Sequence, residues 1–167
     1  MKPLLQTILF TILFPGAVTG LVPYLIESNY TALGLDLGVG RFAGLPVAIA
    51  GVLIYLATAG AFALIGRGTP MPLLPTETLV VEGLHRYVRN PMYIGVLSVI
   101  LGEALWLESG LLLLYMAFVF TAFNTFIRVY EEPTLRRSYG EEYERYCEST
   151  PRWRPRISVR KAEAKED

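Results

Sequence analysis

Gly83-Leu-His-Arg-Tyr-Val-Arg-Asn-Pro-Met-Tyr-Ile-Gly95 carries polar side chains up to the start of an apolar run, and the rest of the chain is arranged around it. Asparagine is a favoured N-cap and proline a favoured first helical residue, so Asn90-Pro91 predicts a helix start. The free N–H groups there, with Arg86 and Arg89 nearby, favour an anion such as a carboxylate or phosphate. A second interpretation stays open, in which Asn90 only caps the helix and the arginines lie at lipid headgroups.

Apolar residues make up 53% of the 167 residues and are bunched into long runs. A helix needs about 20 mostly apolar residues to span a bilayer. The sequence therefore predicts an all-α integral membrane protein with about four transmembrane helices, at residues 3–26, 42–65, 92–107 and 111–130. We expect the last two to form a helical hairpin. The first run is longer than the apolar core of a signal peptide, so we expect it to be retained.

Lysine and arginine are distributed unevenly, although the net charge is zero. With four spans, the N-terminus, the loop after the second span and the C-terminal tail share one side, and Arg41 is the one basic residue on the other. The positive-inside rule then predicts that both termini are cytoplasmic. The basic residues of the tail are interleaved with glutamate, which does not indicate nucleic-acid binding. A single cysteine, Cys147, and a single histidine, His85, argue against a disulfide and against a metal site, so no metal is predicted.

The regions outside the spans have different predicted roles within a single membrane domain at residues 1–155. The cytosolic loop 66–91 begins with a proline- and glycine-rich part and is long for a passive connector, so we interpret it as a binding loop for a cofactor. Residues 134–150 predict an amphipathic helix along the cytosolic membrane surface, because Tyr139, Tyr143 and Tyr146 share one face. The charged tail, residues 156–167, is predicted to be disordered.

A second polar cluster lies at the end of the fourth span. Asn124, Arg128, Glu131 and Glu132 are spaced so that a regular helix would place them on one face. Two adjacent carboxylates at the C-terminal end of a helix need cationic partners, and Arg128 and an arginine of the first cluster can supply them. An ion cluster that only positions the helix at the headgroups is the alternative.

Small residues predict where the second and third spans pack together. They recur at helical spacing on both spans, at Gly44, Ala48, Gly51 and Thr58 and at Gly95, Ser98 and Gly102. The third span also contains Glu103, an ionisable residue in an apolar segment. We interpret it either as a functional residue or as a protonated glutamate bonded to another helix.

The order of these motifs resembles the membrane-embedded S-adenosylmethionine methyltransferases, which include the isoprenylcysteine carboxyl methyltransferases and the phospholipid methyltransferases. Thr78-Leu-Val80 and Arg89-Asn-Pro-Met-Tyr-Ile-Gly95 resemble the carboxyl methyltransferase pattern, with Asn90 where that branch has histidine and His85 where it has tyrosine. Asn-Pro-Met-Tyr and Tyr130-Glu-Glu-Pro133 look like the phospholipid form, whereas Pro151-Arg-Trp-Arg-Pro155 resembles the carboxyl methyltransferase tail. The resemblance covers about half of the chain.

This resemblance implies a cofactor, a class of acceptor and a set of site residues. The cofactor is S-adenosylmethionine, and the acceptor is lipophilic or amphiphilic, such as a prenylcysteine-like carboxylate or a phospholipid amine. The expected partners are therefore the lipid bilayer and this acceptor. Arg128 and Glu132 are the predicted catalytic residues, the first to orient an anionic acceptor and the second as a base toward an amine. The implied cofactor-binding residues are Glu77, Thr78, Leu79, Val80, His85, Arg89, Asn90, Pro91, Met92, Tyr93 and Glu131.

Two alternatives from other classes remain open at the level of sequence. A membrane sterol-type reductase that uses NADPH shares a related Arg-x-Pro-x-Tyr region, and its fold requires no dinucleotide fingerprint. A non-enzymatic membrane module would use both polar clusters as headgroup anchors.

Overall fold

The computed structural model describes residues 13–30, 33–64 and 79–156, and most of these residues are helical. Within these ranges there is no β-strand, so the all-α prediction is confirmed for them. A 3₁₀ turn, Gly38–Ala43, leads into the second helix, another lies at Gly83–Arg86, and π-helical turns lie at Ala17–Leu21 and Ile127–Glu131. The α-helices are α1 (Val22–Asn29), α2 (Gly44–Leu64), α3 (Pro91–Trp106), α4 (Gly110–Phe126), α5 (Glu132–Tyr139) and α6 (Glu141–Ser149).

Among the described residues, two helical stretches are long and apolar enough to cross a membrane. They are Gly38–Ala61, with 24 residues, and Gly110–Tyr139, with 30 residues, and they overlap the second and fourth predicted spans. Helix α3 lies where the third span was predicted but has 16 residues, about 24 Å at 1.5 Å per residue. The first predicted span extends into residues outside the described ranges, and its described part contains the π-helical turn Ala17–Leu21.

Helices α2 and α3 pack against each other through glycines, which confirms the predicted small-residue faces. A Cβ atom on Gly51 would lie 2.7 Å from the carbonyl oxygen of Gly95, and one on Gly102 would lie 2.5 Å from the amide nitrogen of Ala48. A larger side chain at Gly51 or Gly102 would therefore push the two backbones apart. Buried residues of α2, α3 and α4 form a core beside this contact, namely Tyr55, Ala59, Val96, Ile100 and Val119. These contacts fix α3 between its neighbours and so fix the position of its first turn.

The α3–α4 hairpin lies at the opposite end of α3 from Asn90. Ser109 is the N-cap of α4 and accepts a hydrogen bond from the Leu112 amide at 3.3 Å. Glu108 adopts the left-handed region with φ of 54°, and its carboxylate accepts a hydrogen bond from Arg41 at 3.2 Å. The tight turn predicted between the last two spans is confirmed, and it is tied to the loop that precedes α2.

The helix predicted over residues 134–150 is divided into α5 and α6 at Gly140, whose φ is 52°. Glycine adopts this left-handed conformation without a Cβ clash, and the helix ends there. Tyr143 and Tyr146 are buried, with exposed fractions of 3% and 9%. Tyr146 Oη donates a hydrogen bond of 2.8 Å to the carbonyl oxygen of His85. The tyrosine face therefore packs over the segment that precedes α3, and the position of these helices at a membrane surface stays a prediction.

Candidate functional site

Helix α3 begins at the predicted Asn90-Pro91 step, but the Asn90 side chain is not its cap. Asn90 is the N-cap residue by position, yet its side chain makes no capping hydrogen bond. Its Nδ2 atom instead donates to the carbonyl oxygen of Arg152 at 3.3 Å. The predicted helix start is confirmed, whereas the predicted side-chain cap is wrong: Asn90 Oδ1 accepts no hydrogen bond from the first turn, and the side chain binds the C-terminal segment through Nδ2 instead.

Arg89 connects the start of α3 to the C-terminal part of the chain. Its amide donates to the carbonyl oxygen of Pro151 at 2.9 Å. Its guanidinium Nη1 donates to Glu132 Oε1 at 3.2 Å and to Cys147 Sγ at 2.8 Å. The Nε atom of Arg89 is buried and has no hydrogen-bond partner among the described residues. Arg86 is exposed, so Arg89 is the arginine of the first cluster that lies within the site.

The π-helical turn Ile127–Glu131 changes the direction of the side chains at the end of α4. A π turn contains one residue more than an α turn and rotates the following residues relative to a regular helix. Arg128 is exposed whereas Glu132 is buried. The prediction that both lie on one helical face is therefore wrong. The expected pairing of Arg128 with the carboxylates is also wrong in the part of the chain that the structure describes, where Glu132 pairs with other arginines.

Glu131 faces the first turn of α3. Tyr93 Oη donates a hydrogen bond of 2.7 Å to Glu131 Oε2. The Tyr93 ring packs against Phe123 of α4, with 4.7 Å between the ring centroids. Met92 is partly buried and packs against the core beneath them. The start of α3 and the π turn are thus held together by two residues that the family resemblance assigns to one cofactor site.

Glu132 has a side chain that is only 6% exposed and that faces three arginines. Arg152 binds it in a bidentate manner, with Nε–Oε1 at 2.8 Å and Nη2–Oε2 at 2.9 Å. Nη1 of Arg89 lies 3.2 Å from Oε1, and Nη1 of Arg136 lies 3.9 Å from Oε2. Hydrogen bonding to Glu132 raises the pKa of Arg152. These partners are needed, because an unpaired buried carboxylate is strongly disfavoured.

The segment before α3 brings Val80 and His85 into the interior, each with an exposed fraction of 6%. Leu79 is partly buried. Burial lowers the pKa of His85 to about 4, so its imidazole is neutral at pH 7. The predicted cofactor residues Glu77 and Thr78 lie outside the described residues.

Three residues of the site were not predicted from the sequence as members of it: Cys147, Arg152 and Trp153. Trp153 Nε1 donates to Asn124 Oδ1 at 3.1 Å, so that Asn124 binds the C-terminal segment. Arg152 and Trp153 belong to the motif Pro151-Arg-Trp-Arg-Pro155, which is the signal in the sequence that points to them. No comparable motif marks Cys147.

Glu103 lies apart from this cluster. It is ten residues after Tyr93 on α3, which corresponds to about 15 Å along the helix. Its side chain is half-buried, and its Oε2 atom is buried without a hydrogen-bond partner among the described residues. Within the same ranges no group of three or more His, Cys, Asp or Glu residues is arranged to hold a metal ion.

These features define a helical protein with helices long and apolar enough to cross a membrane. A buried ion pair between a carboxylate and arginines lies where the start of α3 meets the end of α4. A family model described as phospholipid methyltransferase matches residues 39–142, and the chain belongs to this family. The family is one of methyltransferases, which supports an enzymatic role. Comparison with curated proteins and with solved structures gives no match.

Proposed function

We propose that the chain transfers a methyl group from S-adenosylmethionine to a lipophilic or amphiphilic acceptor at the cytosolic membrane interface. The observation that carries this proposal is the hydrogen bond between Tyr93 and Glu131, beside the Arg89–Glu132 ion pair. It joins the first turn of α3 to the π turn after α4 in a member of the phospholipid methyltransferase family.

The chemistry of these residues fits the amino-acid part of the cofactor, which carries an ammonium and a carboxylate. Glu131 offers an anionic acceptor for the ammonium. The buried Nε of Arg89, which lacks a partner among the described residues, and the first N–H groups of α3 offer donors for the carboxylate. We propose that His85, with Glu77–Val80 and Asn90–Tyr93, completes this binding site.

When bound, the cofactor would supply a methyl group on a positively charged sulfonium. Transfer dissipates charge, so the residues of the chain act mainly by positioning the reactants and excluding water. Arg128, which is exposed, is proposed to orient an anionic acceptor group. Both oxygens of Glu132 accept hydrogen bonds from Arg152. We therefore revise its proposed role from base to structural ion-pair partner.

The acceptor is proposed to enter sideways from lipid. An apolar groove of about 450 Å³ runs along the exposed side of α4 and the π turn, from Phe118 to Tyr130. Its last residue directly precedes Glu131. An acyl or isoprenoid chain in this groove would place its polar end near the carboxylates.

The proposed membrane arrangement is four spans with both termini in the cytoplasm and the loop 66–91 on the same side. The two long apolar helices and the glycine contacts that pair α3 with α2 support it. The distribution of lysine and arginine supports the orientation.

Calorimetric titration of the purified chain in detergent with S-adenosylmethionine tests the cofactor. We expect saturable binding by the parent chain and by Glu141→Gln, an exposed control on α6, and strongly weakened binding by Glu131→Gln. Equal affinity of the Glu131 and Glu141 variants would overturn the site assignment. Binding of NADPH in place of S-adenosylmethionine would favour a reductase, and binding of neither would favour a non-enzymatic module.

Incubation with S-adenosylmethionine labelled in its methyl group and a total lipid extract tests the acceptor. We expect label in an extractable amphiphile, and identification of the product distinguishes carboxyl from amine methylation. Label that stays entirely in the aqueous phase would contradict a lipophilic acceptor.

A further inference from the structure

The segment Thr150–Arg156, here called the strap, follows α6 and runs along the residues that precede α3. Its Pro151 carbonyl oxygen accepts a hydrogen bond from the Arg89 amide at 2.9 Å. At its far end the Arg156 amide donates to the carbonyl oxygen of Tyr87 at 2.8 Å. The strap is therefore attached to the loop before α3 at two positions.

The strap also contacts the end of α4. Arg152 forms the bidentate pair with Glu132, at 2.8 and 2.9 Å. Trp153 donates to Asn124 at 3.1 Å, and its ring packs against Phe120 with 5.0 Å between centroids. The strap thus bridges the two parts of the chain that carry the proposed cofactor site.

We propose that the strap closes the cofactor site and that Arg152 is a positioning residue for it, an inference that rests on the proposed function. The Arg152 guanidinium binds the Glu132 carboxylate, and the Arg152 carbonyl oxygen accepts a hydrogen bond from the side-chain amide of Asn90. Because Glu131 ends the π turn and Glu132 directly follows it as the first residue of α5, fixing Glu132 fixes the backbone that presents Glu131 to Tyr93. The strap lies beyond residue 142, where the family match ends, so this closure is inferred from the contacts of this chain.

Trp153 provides a readout of strap position that does not depend on catalysis. The chain contains two tryptophans, and Trp106→Phe would leave Trp153 as the only tryptophan, which can be excited selectively at the red edge of the absorption band, where tyrosine does not absorb. In this background we expect Arg152→Gln to increase quenching of Trp153 by iodide, because the strap loses its ion pair. Arg154→Gln changes an exposed neighbour and is the matched control, expected to match the background. Equal quenching in the two variants would overturn the role of Arg152 in holding the strap.

The second measurement is binding of S-adenosylmethionine to the same variants by calorimetry. Coupling between contacting residues predicts about tenfold weaker binding for Arg152→Gln, partial recovery for Arg152→Lys and no change for Arg154→Gln. The cofactor should also protect Trp153 from iodide in the Trp106→Phe background. If Arg152→Gln does not fold, Arg152→Lys carries the test, because it keeps the charge but loses the bidentate geometry.

The outcomes separate this inference from the proposed function. Absence of S-adenosylmethionine binding by the parent chain would overturn the proposed function and the strap's role at the cofactor together. Normal binding by the parent with equal affinity in Arg152→Gln would overturn the strap proposal alone.

Discussion

Tyr93 connects the first turn of α3 to the π turn through a hydrogen bond of 2.7 Å from its Oη to Glu131 Oε2. Tyr93→Phe keeps the ring against Phe123 but leaves a partly buried carboxylate oxygen without its donor. We expect the free energy of unfolding to fall by about 2 kcal/mol, the typical cost of such a loss. Thermal unfolding in detergent measures this effect, with Tyr24→Phe as control because Tyr24 is 69% exposed. Equal melting temperatures for the two variants would show that the hydrogen bond contributes nothing.

His85 predicts how stability depends on pH. Burial lowers its pKa from 6.5 to about 4, so between these values the unfolded chain binds a proton that the folded chain does not. Titration of His85 therefore leaves the free energy of unfolding unchanged above pH 6.5. It lowers that free energy as the pH drops from 6.5 toward 4, by up to about 3 kcal/mol. Thermal unfolding of the parent chain and of His85→Gln, measured at several pH values in this range, gives the difference between their free energies of unfolding. We expect this difference to change by that amount between pH 6.5 and pH 4. A constant difference would mean that His85 has the same pKa in both states.

The contact between α2 and α3 depends on glycine at Gly51. A Cβ atom there would lie 2.7 Å from the Gly95 carbonyl oxygen, whereas one on Gly60, in the same helix, would meet no described residue within 4 Å. We expect Gly51→Ala to lower the free energy of unfolding by about 2 kcal/mol, as overpacking typically does. Gly60→Ala should be neutral or slightly stabilising, because alanine favours the helix. Denaturation of both variants in the same detergent measures the difference, and a Gly51→Ala variant as stable as Gly60→Ala would contradict the close contact.

Helix starts could be predicted from the sequence because their signals are local. Asn90-Pro91 lies at the start of α3, as its residue types indicate, and α4 begins one residue before the predicted span 111–130. The π turn at Ile127–Glu131 could not be predicted, because no residue type requires it. It accompanies the contacts of Glu131 with Tyr93 and of Glu132 with Arg152, which involve distant parts of the chain.

At the scale of the whole molecule, the sequence predicted the chemical types in the site but not all of its pairs. Both polar clusters were predicted to supply charged groups, and Arg89 does contact Glu132. The stronger partner of Glu132 is Arg152, twenty residues later, in a segment that follows two short helices. The arginine that binds this buried carboxylate is selected by the path of the chain after Gly140, which brings residue 152 back to the end of α4. Neither periodicity nor charge count contains that information.

The orientation of the molecule gives the final prediction. The hairpin residue Glu108 is bound to Arg41 at one end of α3, whereas the site lies at the other end, where nearly all lysines and arginines are expected. We therefore expect Asp36→Cys and Glu141→Cys, two exposed positions, to lie on opposite sides of the membrane. The background is Cys147→Ser, because a serine hydroxyl can still accept a hydrogen bond from Arg89.

Labelling of intact cells with a membrane-impermeant maleimide measures this arrangement. The thiol at position 36 should react in intact cells, whereas the thiol at position 141 should react only after the membrane is permeabilised with detergent. Permeabilised cells serve as the control, because both thiols are then accessible. Because an even number of spans keeps both termini on one side, reversed labelling would overturn the cytoplasmic placement of the site. Labelling of both thiols in intact cells would mean that the helices between them do not carry the chain across the bilayer.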